Sequence, residues 1–321
     1  MDFYNETNFS TLEHRTVIGE DKLAMSIQCR VMFDIINGEA TVAKEQTWPL
    51  NENYYENYYG PMDRDDLYTR GGIDIMVFGH AIAPKGQTIT QSIIEVLLNE
   101  KPIHKIKVFG DRVWKSTLGF ITQSKPKPFK KIALTLNNAF GGVTKWDGLE
   151  IPYSANPYGK GYYHTKEEAV DNVLPNLEHV DKQIIKWKEI QEPAGVGSYT
   201  ILPLKAKNSL ELSEDKKEIK NIKSTFFNSA FPNLIVDSVK VGDNINVKGV
   251  TESGNFNIKI PNFELEIDIS IGEASKKDIL KIEQIGILPD SSQVFITYNY
   301  PFRYNFKPQE KRKTRLRQIN N

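Results

Sequence analysis

The sequence predicts a mainly β protein, folded as an antiparallel β-sandwich or a distorted barrel. Two observations predict this class: many short segments alternate apolar and polar residues with a period of two, and turns rich in glycine or proline separate these segments. Long amphipathic helical patterns are nearly absent, so only one or two short helices are expected. Of the 321 residues, 39% are hydrophobic, which is enough for a sizeable core.

The first third of the chain, residues 13–136, is predicted to be a β meander. Residues 25–35 alternate apolar and polar side chains, and the single cysteine, Cys29, is predicted to be buried among them. Asn37 and Gly38 follow, a pair that accepts the positive φ angles of a tight hairpin turn. Further strands are predicted at residues 73–83, 93–98, 103–109 and 131–136.

Residues 137–200 form an irregular segment rich in glycine, proline, asparagine and aromatic residues. Structureless runs of this length are uncommon inside a compact domain, so the segment is predicted to be functional or held in place by its own side chains. One short helix is predicted within it, because Thr165 can cap a helix and Glu168 completes a capping box.

The stretch NPYGKGYY, residues 156–163, is central to the irregular segment. Pro157 fixes its own φ and favours extended backbone at Asn156, while Gly159 and Gly161 supply backbone angles that other residues resist. The stretch is therefore predicted to follow one rigid path. Packing beneath the loop and contact with a partner both remain open for the neighbouring aromatic and glycine residues Tyr158, Tyr162, Tyr163, Phe140, Gly141 and Gly142.

The rest of the chain returns to strands after a variable insertion at residues 201–233, in which residues 213–223 are predicted to be a charged, helical surface piece. Strands are predicted at residues 234–241, 245–250, 263–271, 278–288 and 294–298, within a strand region at 234–306. Residues 13–306 are assigned to one domain, between a polar N-terminal tail at 1–12 and a basic C-terminal tail at 307–321. The basic tail is either solvated or a docking patch for an acidic partner surface.

Charge and composition argue against several classes of protein. The chain has 41 basic and 41 acidic side chains, a balance that does not suit a general nucleic-acid binder. A single cysteine cannot form an internal disulfide, so nothing indicates an oxidising compartment. The N-terminus lacks the order of a signal peptide, and no apolar run approaches the ~20 residues that cross a bilayer. We expect a cytoplasmic protein whose partner is neither nucleic acid nor membrane.

Motifs that carry catalysis or bind cofactors are missing from the sequence. The five histidines lack the spacing of common zinc motifs, and no nucleophile elbow, Walker loop or kinase signature is present. The glycine loops lack the strand-to-helix context of a dinucleotide fingerprint. We therefore expect no catalytic residue, no cofactor and no metal. At the turn after residue 109, Asp111 and Arg112 are predicted to form a local ion pair.

One catalytic alternative remains open. Asp147, Glu150 and Glu178 lie in the aromatic-rich middle of the chain. A hydrolase or carbohydrate-acting enzyme would need two carboxylates about 5 to 10 Å apart across a cleft. The sequence does not determine the distances between these carboxylates.

A series of segments along the chain resembles the motifs of a known family. In order, they are IDIMVFGHAIAP at 73–84, FGDRVW at 109–114, KPFKKIALTLNNAFGG at 127–142, NPYGKGYY at 156–163, LPNLE at 174–178, EPAGVG at 192–197 and FFNSAFPN at 226–233. They resemble a bacterial family of unknown function encoded beside PAAR-like spike-tip proteins, toxins and VgrG spikes in type VI secretion loci. One stretch that usually follows the EPAGVG-like segment is missing here, where the charged insertion lies.

Members of that family are regarded as effector adaptors or chaperones. The resemblance therefore implies a non-catalytic protein that binds a secreted toxin effector, a PAAR-like tip domain or a VgrG spike protein. A structural component of the injection particle is a third alternative, beside the adaptor and the enzyme. The residues expected to contact the partner are Trp114, Phe140, Gly141, Gly142, Asn156, Pro157, Tyr158, Gly159, Gly161, Tyr162, Asn176 and Glu178.

Overall fold

The computed structural model describes residues 1–319, and over that range the chain is mainly β. Its helices are α1 (Lys166–Ala169) and α2 (Leu202–Ser209), with short 3-10 turns at Leu136–Asn138, Ser224–Phe227, Pro232–Leu234 and Pro289–Ser291. The strands, numbered in chain order, are β1 Asp2–Asn5, β2 Ser10–Gly19, β3 Lys22–Ile36, β4 Glu39–Val42, β5 Tyr55–Asn57, β6 Gly60–Met62, β7 Ile73–Val77, β8 His80–Ile82, β9 Gln91–Leu98, β10 Lys101–Phe109, β11 Trp114–Thr117, β12 Phe120–Gln123, β13 Lys131–Ala133, β14 Phe140–Gly141, β15 Val143–Trp146, β16 Leu149–Pro152, β17 Lys160–Gly161, β18 Leu177–His179, β19 Leu210–Leu212, β20 Ile219–Ile222, β21 Ile235–Val236, β22 Asn244–Lys248, β23 Asn255–Lys259, β24 Leu265–Ile271, β25 Ala274–Ile279, β26 Lys281–Leu288, β27 Gln293–Asn305 and β28 Arg312–Gln318.

Three larger sheets form the framework. Their strand orders are β2-β3-β27-β26-β7-β21 with β4 also on β3, β18-β10-β9-β22-β23, and β1-β28-β24-β25. Most pairs are antiparallel, although β7 runs parallel to β26 and β1 runs parallel to β28. The predicted mainly β, sandwich-like class is confirmed, and none of the sheets built from residues 1–319 closes into a barrel.

One large hydrophobic core joins these sheets. Ile27, Ile94 and Ile267 come from different sheets, and all are fully buried in the same cluster. In β24, buried residues alternate with half-buried ones, as the period-two pattern predicts. Asn37 and Gly38 have φ angles of 52° and 86°, so the predicted tight turn between β3 and β4 is confirmed.

A buried polar network lies beside this core. Arg30 forms an ion pair with Asp65 at 2.6 Å, and Arg70 forms one with Glu283 at 2.7 Å. Arg70 also lies 3.4 Å from Asp74, which is fully buried in β7. Because a buried charge is costly unless it is paired, these contacts fix the segment before β7 against the seven-stranded sheet.

The segment at 228–230 is held by the same network. The Asn228 side chain and the backbone N–H groups of Ser229 and Ala230 all donate to the Asp74 carboxylate, at 2.9, 2.9 and 3.1 Å. Burial raises the pKa of Asp74, although Arg70 and these hydrogen bonds act in the opposite direction. The end of the insertion at 201–233 is therefore anchored to the core.

The segments assigned from the sequence as tails, residues 1–12 and 307–321, both contain strands. These are β1 and the start of β2 at one end and β28 at the other. Strand β28 lies between β1 and β24, and Arg317 pairs with Glu266 of β24 at 2.5 Å. Leu316 is fully buried. The basic residues thus alternate with inward-facing ones and face acidic partners across the strands, which favours a sheet over a solvated tail. Residues 320 and 321 of the assigned tail lie outside the described residues.

The helical prediction for residues 213–223 is wrong. This part of the chain completes a hairpin between β19 and β20, and helix α2 precedes it. The Ser213 hydroxyl donates to Asp215 at 2.6 Å and accepts from the Glu218 N–H at 3.0 Å. Such local side-chain hydrogen bonds compete with helix formation and favour a turn.

Candidate functional site

A second, smaller hydrophobic core is formed by four residues of the irregular segment together with Trp114. It consists of Trp114, Phe140, Ala169, Leu174 and Ile184, all of which are buried. We call the part of the chain that surrounds it, residues 110–192, the middle lobe. Long-range packing among its own aromatic and aliphatic side chains orders this lobe, although it has few regular elements.

The loop at 156–161 is fixed by contacts between backbone and buried side chains. The Asn156 side chain is fully buried, and its Nδ2 atom donates to the carbonyl oxygens of Leu136 at 2.8 Å and Phe140 at 3.1 Å. Gly141 has a φ of 154°, and a Cβ atom there would lie 2.1 Å from the Asn156 carbonyl oxygen. Only glycine fits at that position, because backbone approaches backbone too closely for a side chain.

A buried ion pair between Arg112 and Glu178 links the parts of the middle lobe. The two groups are 2.5 Å apart, and the guanidinium also donates to the Gln123 side chain at 3.0 Å. It lies 3.8 Å from the centre of the Phe109 ring. The second oxygen of Glu178 accepts from the Ile184 N–H at 2.9 Å. One ion pair therefore contacts β10, β12, β18 and the segment after β18.

The predicted local ion pair between Asp111 and Arg112 is wrong. Asp111 instead accepts a hydrogen bond from Asn176 at 3.2 Å, and Asn176 also donates to the Phe109 carbonyl at 2.9 Å. Arg112 points inward, where it meets Glu178, 66 positions later in the chain. The buried site favours the pair with full hydrogen bonding over the adjacent, exposed carboxylate.

Two hairpins of the middle lobe pack against helix α1. Hairpin A comprises residues 114–123 (β11 and β12), and hairpin B comprises residues 143–152 (β15 and β16). Lys166 of α1 donates to the Gly119 carbonyl at the turn of hairpin A, at 3.0 Å. Glu168 of α1 accepts from the Thr144 hydroxyl and from the Lys145 N–H of hairpin B. One helical turn thus holds both hairpins.

Glu168 contributes both to the cap of α1, through its N–H, and to the attachment of hairpin B, through its carboxylate. Thr165 accepts a hydrogen bond from the Glu168 N–H at 3.2 Å, so the predicted helix start is confirmed. The carboxylate of Glu168 also accepts from the His164 N–H at 3.0 Å. Partial burial raises the pKa of Glu168, but hydrogen bonds from Thr144, His164 and Lys145 outweigh it and hold the pKa below its usual value.

Both hairpins carry exposed apolar side chains near their turns. In hairpin A, Leu118 is 94% exposed and Phe120 is 75% exposed. In hairpin B, Trp146 is 57% exposed and Leu149 is 68% exposed, and Trp146 stacks on His164 with ring centres 4.7 Å apart. Contiguous exposed apolar groups on a protein surface mark binding sites. We take the surface formed by the two hairpins as the candidate functional site.

Most of the residues predicted to contact a partner lie inside the middle lobe. Those that are buried are Trp114, Phe140, Gly141, Gly142, Asn156, Gly161, Asn176 and Glu178. Gly159 and Tyr162 are half-buried, whereas Pro157 and Tyr158 are exposed. The buried residues shape the lobe. Of the twelve predicted residues, only the exposed Pro157 and Tyr158 offer a whole side chain to a partner.

The exposed hairpin residues were missed by sequence reasoning. Each hairpin turn has a residue with positive φ followed by glycine, Leu118-Gly119 in hairpin A and Asp147-Gly148 in hairpin B. Asp147-Gly148 is a turn pair that marks a hairpin in a sequence, whereas Leu118-Gly119 is not, so only hairpin B carries a local signal. Each strand of the two hairpins has only four residues, which is too short for a clear period-two pattern.

The three carboxylates of the catalytic alternative lie in different settings. Asp147 occupies the turn of hairpin B and Glu150 an exposed position in β16, while Glu178 is buried in its ion pair with Arg112. Among residues 1–319, no group of three or more His, Cys, Asp or Glu side chains is arranged to hold a metal ion. No helix in that range is long and apolar enough to cross a bilayer.

Comparison with known protein families gives a match over most of the chain. A family model described as an uncharacterized protein conserved in bacteria (DUF2169) matches residues 20–299, a range that includes the whole middle lobe. No curated protein and no solved structure matches the chain.

Proposed function

We propose, from the premise that this chain belongs to the DUF2169 family of bacterial proteins, that it is a non-catalytic adaptor or chaperone. Its cargo would be a secreted toxin effector, the effector's PAAR-like tip domain or a VgrG spike protein. Binding would hold the cargo for loading onto a type VI secretion machine. The site of binding would be the surface formed by hairpins A and B.

The observation that carries this proposal is the exposure of Leu118, Phe120, Trp146 and Leu149 on an otherwise tightly fixed lobe. These side chains are largely exposed, whereas the loops and helix that support them are held by buried contacts. A preorganised surface loses little conformational entropy when a partner binds. A standard interface would bury on the order of 800 Å² on each side.

The motif series supports the middle lobe as the location of the binding surface. The segments at 109–114, 127–142, 156–163 and 174–178, which carry the resemblance to effector adaptors, all contribute to the middle lobe or its attachment to β10. Glu178, one of the three candidate carboxylates, already neutralises Arg112 and accepts from Ile184. Nothing in the positions of the carboxylates favours the hydrolytic alternative.

Co-expression with the effector encoded beside the gene tests the proposal. We expect the effector to co-purify with the chain and to be more soluble and better secreted in its presence. Replacing Leu118, Phe120, Trp146 and Leu149 together with serine should reduce co-purification at least about 10-fold, because such anchors dominate interface energies.

The matched control replaces four exposed apolar residues outside the middle lobe with serine: Val17, Ile36, Tyr54 and Val241. This variant should bind like the wild type. If the effector is equally soluble, stable and secreted without the chain, the adaptor function is refuted. If the control variant loses binding and the hairpin variant does not, the binding surface lies elsewhere.

A further inference from the structure

We infer that the face of the middle lobe beside hairpin A recognises an acidic segment of the partner that also carries apolar side chains. This inference rests on the proposed adaptor function and assigns it a partner chemistry. It concerns a surface made by hairpin A and two neighbouring segments: residues 124–130, called the lysine strip, and residues 182–188, called the lysine loop.

These three elements meet around the Arg112 ion pair. Gln123, at the base of hairpin A, accepts from Arg112 and donates to the Ile184 carbonyl of the lysine loop. The lysine strip runs antiparallel to residues 111–113, beside Arg112. The Ser124 N–H donates to the Val113 carbonyl at 2.8 Å. The Lys127 N–H then bonds to the Asp111 carbonyl at 3.0 Å. The three elements are therefore neighbours on one side of the lobe.

Unpaired positive charge is concentrated on this side. The exposed lysines of the strip and the loop are Lys125, Lys127, Lys130, Lys182, Lys186 and Lys188. Within residues 1–319, none of these lysines makes an ion pair, in contrast to Lys115 with Asp171 and Lys131 with Asp290. The whole chain has a net charge of zero, so this excess is local.

Acidic groups nearby do not cancel the excess. Asp181 is exposed at the start of the lysine loop, and Glu189 at its end accepts from the Ile185 N–H at 2.7 Å. Asp111 accepts from Asn176 but keeps its negative charge, so these three carboxylates offset only part of the charge of the six lysines. Unpaired exposed charges attract an oppositely charged partner over roughly 10 Å at moderate salt and raise its association rate.

Exposed apolar side chains accompany the lysines. Ile185 of the lysine loop is 71% exposed, and Leu118 and Phe120 lie at the turn of hairpin A, at the opposite end of that hairpin from Gln123. In the lysine strip, Pro126 and Pro128 alternate with lysines and fix the backbone in an extended form. Lysines on a restricted backbone, together with exposed apolar side chains, complement a segment in which acidic residues flank apolar ones.

A protein segment fits this surface better than a nucleic acid or a bilayer does. Nucleic-acid binding relies on a broad basic surface that displaces counterions, and this chain carries no net positive charge. Interfacial membrane binding relies on a long amphipathic helix or lipid anchor, whereas the exposed apolar groups here sit on a hairpin and a loop.

A charge-reversal experiment with the co-purifying effector tests the inference. In Lys125→Glu/Lys127→Glu/Lys130→Glu, we expect affinity for the effector to fall at least about 10-fold in 50 mM salt. The loss should shrink at 300 mM salt, because salt screens exposed charges. The control, Lys44→Glu/Lys216→Glu/Lys220→Glu, makes the same change in net charge at exposed lysines outside the lobe and should bind like the wild type. Thermal unfolding monitors the fold of both variants.

The outcomes separate this inference from the proposed function. If the wild type fails to bind the effector, the adaptor function fails. If the wild type binds and the strip variant binds equally well at both salt concentrations, the adaptor function stands and the acidic-segment inference is overturned. Restoration of binding by lysine substitutions at acidic positions of the effector supports the inference.

Two further probes test whether the surface binds an anionic membrane or a nucleic acid instead of an acidic protein segment. Phosphatidylserine vesicles and a single-stranded oligonucleotide are titrated with the wild type and the strip variant. Tight binding of either probe that the strip variant loses, together with unchanged effector binding, overturns the inference in favour of that polyanion.

Discussion

In the three-sheet core, β3 is buried without interruption from residue 24 to residue 33. The middle lobe has a small cluster of its own around Trp114, and a few of its residues, such as Leu136 and Leu177, join it to the large core. The sheets are stabilised by large apolar area and by ladders between long strands. The lobe depends on single polar contacts, above all the Arg112–Glu178 ion pair and the Asn156 side chain. The difference suggests that the lobe opens locally while the sheets unfold together.

The largest effect is expected from a substitution in the core, which should destabilise the sheets much more than the middle lobe. Phe295 is fully buried in β27, where its ring packs against Arg30 and Phe78. Phe295→Ala should lower the free energy of unfolding by about 3–5 kcal/mol, through lost apolar burial and a cavity. Hydrogen exchange measured by mass spectrometry should speed up strongly in β3 and β27 and much less in hairpin A. An equal acceleration in hairpin A would mean that lobe and sheets form one cooperative unit.

Removal of the ion pair in the middle lobe should speed up hydrogen exchange in the lobe and not in the sheets. Arg112→Met leaves the Glu178 charge buried and unpaired, which costs about 3 kcal/mol. Exchange should accelerate in hairpin A and in residues 182–188, and stay near the wild-type rate in β3. The double variant Arg112→Met/Glu178→Leu should recover more than half of the loss, because no unpaired charge remains. A double variant as unstable as the single one would show that the charge is not the cause.

A third test concerns the glycine-rich loop of the lobe. Asn156→Ala removes both donors to the carbonyls of Leu136 and Phe140, which should cost about 2 kcal/mol of unfolding free energy in urea. Asn156→Asp should be no better, since it keeps an oxygen but loses the donors and adds a buried charge. The control Asn137→Ala, at an exposed position one residue after Leu136, should change stability by under about 0.5 kcal/mol. Equal effects of Asn156→Ala and Asn137→Ala would contradict this role of Asn156.

The same contrast explains how much the sequence predicts. Strands β3 and β24 are predicted because apolar and polar residues alternate in them with a period of two. Only β24 is half-buried, however, because the polar side chains Gln28 and Arg30 of β3 are buried in hydrogen bonds. The start of α1 was identified because its Thr165 cap also acts within one helical turn. Interactions within a few residues, or repeated along one strand, are therefore legible without a structure.

Contacts between residues that are far apart in the chain cannot be predicted from such local patterns. Arg112 pairs with Glu178 rather than Asp111, and Arg317 in β28 pairs with Glu266, because the folded chain brings these groups together. The exposure of Leu118 and Trp146 likewise follows from which side of each hairpin faces the lobe. The sequence thus indicated where the unusual segment lies, but its buried and exposed residues follow from tertiary packing.

The smallest expected effect is a pH dependence confined to the lobe. Because hydrogen bonds hold the pKa of Glu168 below its usual value, the ionised carboxylate stabilises the attachment of hairpin B to α1. This stabilisation is fully present above the pKa of the unfolded chain, about 4.3, and is lost as the pH falls through the lower, folded-state pKa. The Lys145 amide should exchange faster, relative to an unstructured reference peptide, as the pH is lowered from 6 to 3. Solvent screening keeps the effect under about 1 kcal/mol. In Glu168→Gln this extra acceleration should vanish while β3 is unaffected; if it persists, another titrating group controls the opening of hairpin B.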